Sequence, residues 1–178
     1  MEMQQQFEAG MHVRYGGNGI CLIERVGEIP FPGEKPTRLC YVLKPLRNVS
    51  MEISVPLDNA ALCAKMLPVR TKEEIAQMLE DAVRRDAMPW IDDRKQRNAE
   101  FRRILAGGDA ESLLGMIRCI LKQAAWLRQN GKRLSAADDN ARKDAARMLD
   151  EEFGFSLGMS AREAGQYICD SLKVEKEL

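Results

Sequence analysis

Histidine is almost missing from this chain, with His12 as its only instance. That scarcity excludes most metal centres and most nucleophile–base pairs, which rely on imidazole more than on other side chains. The five cysteines (Cys21, Cys40, Cys63, Cys119 and Cys169) are widely spread and odd in number, and none forms a Cys-x-x-Cys pair. Reduced thiols are therefore expected, with neither a zinc site nor a disulfide framework and with no cofactor. No apolar run approaches the roughly 20 residues of a membrane helix. The polar, glutamine-rich start, Met1 to Ala9, lacks the basic-then-apolar layout of a secretory signal, so a cytoplasmic protein with no membrane partner is expected.

Catalytic signatures are equally scarce. No Gly-x-Ser-x-Gly or His-Glu-x-x-His motif occurs. Gly16-Gly17-Asn18-Gly19 lacks the lysine of a phosphate loop and reads as a hairpin turn. The adjacent acids Asp92-Asp93, Asp138-Asp139 and Glu151-Glu152 diverge by about 100° on a helix, which argues against a shared metal or substrate. Asp92-Asp93 lies near an expected helix start, where the dipole favours acids. An enzyme is not expected.

What is present falls into two halves with different periods. From Met11 to Pro56 the chain reads as short strands. Met11 to Tyr15 alternates, the glycine-rich turn follows, and Ile20 to Val26 supplies a second strand. A loop with Pro30, Pro32, Gly33 and Pro36 interrupts the pattern. Arg38 to Lys44 and Met51 to Pro56 then add two more strands. Four or five short antiparallel strands in about 60 residues predict a small curled sheet or barrel.

Beyond Leu67 the period becomes helical. Ile75, Met78, Leu79, Ala82 and Val83 form one stripe, started by a Thr71–Glu74 capping box. A second helix is expected from about Trp90 to Ala106, closed by Gly107-Gly108. Asp109 caps a third, with Leu113, Met116, Ile117, Ile120, Leu121 and Ala124 as its buried face. Ser135 with Asp138 starts a fourth, and Ser160 with Glu163 boxes a fifth that ends near Leu172. The fold class expected is segregated α+β: a small antiparallel β domain over residues 1–66, then a bundle of about five helices over 67–178.

The 27 basic and 27 acidic residues cancel overall, but their distribution does not. From Arg94 to Arg133 ten Lys or Arg face three acids, whereas Leu67 to Asp93 has four against seven. Trp90, preceded by Pro89, stands at that joint, and its indole is expected in the first turn after a bend. A basic helix led by tryptophan suits a module that tracks phosphates and stacks on bases. The plainer reading is a core tryptophan on a helix with a solvated charged face. For Trp126, at the end of the third helix, partial burial in packing is expected.

In motif order the chain resembles the CarD/CdnL family of bacterial transcription regulators over nearly its full length. The residues that carry the resemblance are Phe7 to Tyr15 with Asn18-Gly19-Ile20, then Tyr41 to Lys44, and Ile53 to Pro56 with Asn59. In the helical half they are Trp90, Leu105 to Asp109, Ile117-Arg118 with Leu121, and Leu134-Ser135. The resemblance implies a Tudor-like domain that docks on the RNA polymerase β subunit by strand augmentation. It also implies a helical domain on promoter DNA, bound without sequence preference, whose tryptophan wedges into the minor groove and keeps the duplex open. The family commonly places arginine directly after the tryptophan, whereas this chain has Ile91-Asp92-Asp93 before Arg94. Two carboxylates there oppose phosphate binding.

On this reading Trp90 is the wedge and Arg94, Lys95 and Arg97 contact the DNA backbone, with Arg102 and Arg103 next. Met51, Glu52, Ile53, Ser54 and Val55 form the polymerase-facing edge. The alternative is an interaction adaptor of the same fold whose helices never touch DNA. Strand edges of this kind also pair with themselves, so a monomer and a domain-swapped dimer both stay open.

Overall fold

A computed structural model describes residues 7–33 and 37–172 of the chain. Met1 to Gln6 of the polar start and Pro36 of the expected loop lie outside those residues. The fold is α+β, with a five-stranded antiparallel sheet followed by helices. It divides into two compact units, Met1–Val69 and Arg70–Leu178.

The first unit holds β1 (His12–Tyr15), β2 (Ile20–Ile29), β3 (Arg38–Pro45), β4 (Ile53–Pro56) and β5 (Met66–Pro68), in the order β4-β3-β2-β1-β5. A one-turn helix, α1 (Ala60–Cys63), joins the last two strands and is capped by the Asn59 side chain. The glycine-rich turn does reverse the chain: Gly16 and Gly19 both adopt positive φ, and Arg14 pairs with Ile20 across it. Alternating residues Val13, Tyr15, Cys21, Ile23, Tyr41, Leu43 and Val55 fill one buried cluster, closed by Met66 and Phe7. Because β5 pairs with β1, the boundary expected between residues 66 and 67 falls inside a strand of the sheet.

The second unit contains α2 (Lys72–Arg84), α3 (Arg94–Gly107), α4 (Ala110–Gln129), α5 (Ala136–Leu157) and α6 (Ala161–Ser171). Its local signals act as the sequence suggests. Thr71–Glu74 and Ser160–Glu163 form reciprocal capping boxes. Asp109 and Ser135 cap α4 and α5. Gly108, at φ 65°, ends α3 in the left-handed region. The six residues expected on the buried face of α4 are all buried, and α4 runs through a core shared with Ile75, Leu79, Phe101, Leu149, Phe153 and Ile168. Arg118 of α4 reaches back to donate to the carbonyls of Ala82 and Arg85 near the end of α2. Arg70, just before α2, pairs with Glu152 of α5.

Packing is close at Gly154, near the turn between α5 and α6. A Cβ on Gly154 would lie 2.9 Å from the Met159 carbonyl oxygen, which is backbone and cannot swing away. Gly154→Ala is therefore expected to destabilise the helical unit by about 1–3 kcal/mol, as overpacking does. Urea unfolding followed by helical circular dichroism measures it, and an unchanged midpoint would contradict this packing.

Candidate nucleic-acid interface

The segment that carries Trp90 is not helical. α2 ends at Arg84, and Asp86–Asp92 runs without regular structure until Asp93 caps α3, accepting from the Gln96 amide at 2.8 Å. The expected start of this helix at Trp90 is thus four residues early. Pro89 disfavours helix at Met88, and Asp93 supplies a better cap than anything before it. Asp93 is thereby explained as a cap. Asp92 is exposed, and its carbonyl accepts from Arg97 at 3.2 Å.

Trp90 is half-buried and packs against two residues of α3. Its ring meets Phe101 edge-on at 6.4 Å between centroids. The Arg97 guanidinium sits over the ring, 4.3 Å from its centroid. Arg97 itself is only 6% exposed. Its Nε and Nη2 donate to the two oxygens of Asp138, at 2.8 and 3.1 Å, and its Nη1 donates to the Ile91 carbonyl at 2.7 Å. Burial raises the pKa of Asp138, but hydrogen bonds from Arg97 and Ser135 and the charges of Arg97 and Arg94 outweigh it and hold the carboxyl below its ordinary value.

This geometry corrects the expectation for Arg97. A phosphate contact needs a solvated cation, whereas this guanidinium is spent inside the unit. Its place was readable: Arg97 stands four and seven residues before Phe101 and Ile104, so the helical period puts it on their buried face. Arg118 is also buried, so the basic block from Arg94 to Arg133 presents fewer charges to solvent than a count along the chain implies.

The other cations of α3 are exposed. Lys95 and Arg102, seven residues apart, share one face, with Arg94 beside them. The Arg102 Nε donates to the Asn98 carbonyl at 3.2 Å. Arg103 points elsewhere and pairs with Glu100 at 2.6 Å. In the sheet unit, Met51 and Glu52 precede β4, and Glu52 pairs with Arg25 at 3.5 Å. Ile53 and Ser54 are half-buried, and Val55 points fully into the core opposite Tyr41.

Two features were missed. Trp126, expected to be partly buried, is 53% exposed. The period that groups Leu113, Ile117, Ile120 and Ala124 already places residue 126 about 200° around the helix from Ala124. The second is a cavity of about 1000 Å³ between the end of α4 and the start of α5, lined by Arg128, Lys132, Arg133, Arg142 and Lys143. Arg142 and Lys143 come from a stretch with more acids than bases, so a linear charge count hides them. Among the described residues no group of three or more His, Cys, Asp or Glu is placed to hold a metal ion. Burial pushes the Cys21 thiol up to about 11, so it stays protonated at neutral pH.

No protein-family model matches the chain, and no curated protein matches it.

Among the described residues the Asp138 carboxylate is the anion paired with the buried Arg97, so removing its charge strands a cation in the core. Asp138→Asn is expected to cost about 3–5 kcal/mol at neutral pH. Because the folded carboxyl has a lowered pKa, its contribution is present above the unfolded value and is lost as the pH falls through the folded one. The gap between the two proteins should therefore narrow below about pH 4. Urea unfolding at several pH values checks both the size and the trend, and a gap independent of pH would contradict the assignment.

Proposed function

We propose that the chain is a CarD-like transcription regulator, acting in the bacterial cytoplasm without catalysis. Its sheet unit, read as a Tudor-like barrel, binds the RNA polymerase β subunit, and its helical unit steadies promoter DNA. The observation that carries this reading is the edge strand β4, which ends the sheet order beyond β3 and follows a turn with three exposed apolar residues, Leu46, Val49 and Met51. An edge strand with apolar side chains beside it offers both parts of strand augmentation: a backbone ladder for affinity and side-chain contacts for choice of partner. The exposed Arg94, Lys95 and Arg102 supply a salt-sensitive face for phosphates. Arg97 has a different part in this reading, holding Trp90 in place.

A second reading follows from the same tryptophan. An indole that already packs against Phe101 and Arg97 is partly engaged, which favours an adaptor whose helices touch no DNA.

Two measurements separate the readings. Titration of the full chain against the N-terminal lobe of a bacterial β subunit should give saturable binding, and none would remove the transcription reading. Trp90→Ala should shorten the lifetime of promoter open complexes about tenfold, the scale of a lost wedge contact, with β-lobe affinity unchanged. An unchanged lifetime, with the variant shown to be folded, would favour the adaptor.

A further inference from the structure

The recess between α4 and α5 has the chemistry of an anion site. Its geometry is set by the end of α4. Asn130 donates from its side chain to the Trp126 carbonyl at 2.7 Å, Gly131 turns the chain at φ 68°, and the Lys132 amide donates to the Leu127 carbonyl at 2.8 Å. This turn fixes the direction in which Lys132 and Arg133 leave the helix. Ser135 then starts α5, which brings Arg142 and Lys143 round from its second turn.

Five cationic side chains thus line a cavity of about 1000 Å³ with one carboxylate, Asp139, among them. That carboxylate is engaged by both α5 cations, with Arg142 and Lys143 each at 2.7 Å. Among the described residues, Lys132 and Arg133 have no carboxylate within ion-pair distance. With five cations and one carboxylate on its lining, the recess carries an excess of positive charge that favours an anion. Ala124 and Leu134 add an apolar surface to the lining.

We infer that this recess binds a small oligophosphate compound of the nucleoside di- or triphosphate class. The charge excess calls for a ligand with several negative charges close together, which a carboxylate or single phosphate lacks. The size lies at the upper end of the range for small-molecule sites, enough for a nucleotide. The concavity argues against a duplex, whose phosphates run along a convex backbone and suit a raised basic face such as that of Lys95 and Arg102. The inference rests on this cavity alone and holds whether or not the protein acts in transcription.

The test is calorimetric titration of the full chain with ATP, GTP and inorganic triphosphate in turn. Saturable binding of one equivalent is expected, weakened about tenfold or more by Arg133→Ala and by Lys143→Ala, as loss of a charge-assisted phosphate contact implies. Lys72→Ala, on an exposed position of α2 outside the recess, should leave it unchanged. Tighter binding of ATP or GTP than of triphosphate would assign the apolar wall to the nucleoside, and equal binding would assign the site to the phosphates alone; both support the inference. No saturation by any of the three at about 10 mM, in the range where non-specific charge attraction dominates, would overturn it. So would equal weakening by Lys72→Ala. Binding of a duplex that is weakened by Arg133→Ala while no triphosphate saturates would also overturn it, and would give the recess to nucleic-acid backbone.

Discussion

The buried Arg97–Asp138 pair is the constraint on which the candidate interface depends. Taking both charges out of water costs several kcal/mol per ion, and the attraction between them offsets that only when the geometry is good and the remaining donors are used. Here the pairing is bidentate, and Nη1 is taken by the carbonyls of Ile91 and Asp92. One side chain thereby joins α3 to α5, ties down the non-helical segment between α2 and α3, and covers a face of Trp90. The pair gives direction more than stability. Hydrophobic residues would pack there as well, but they would not fix the two carbonyls before α3.

That arrangement changes what Trp90 can be. A tryptophan on a free loop pays conformational entropy when it inserts into a partner. This one is held against Phe101 and under Arg97, so its orientation is set before any encounter. Any contact it makes with DNA is made by a rigid, half-exposed ring. The carboxylates that looked unfavourable in the sequence divide in role. Asp93 spends its charge on the first turn of α3, and Asp92 contributes a carbonyl to Arg97 while its side chain faces solvent.

Local features of the fold were legible in the sequence, and pairings across distance were not. The capping boxes at Thr71 and Ser160, the cap at Asp109 and the buried stripe of α4 depend on residues three or four apart, and the structure has them all. The start of α3 was misplaced because Pro89 suggested a first turn, while Asp93 is the residue that satisfies the amides. Arg97 was read as a surface cation because its partner lies 41 residues away, although its spacing from Phe101 and Ile104 pointed inward. The basic recess was invisible for the same reason: its cations belong to two segments of opposite net charge, and only the turn at Gly131 brings them together.

The sheet shows how a strand edge is kept selective. β4 and β5 stand at the two ends of the order, are four and three residues long, and end in Pro56 and Pro68. A proline offers no amide to a neighbouring strand, and a short edge limits the number of ladder bonds any partner can gain. Pairing between two such edges is therefore weakly rewarded. A partner that does add to β4 must draw its affinity from side chains as well as backbone. Leu46, Val49 and Met51 are the apolar groups exposed next to that strand, so they and not the ladder should decide which strand is accepted.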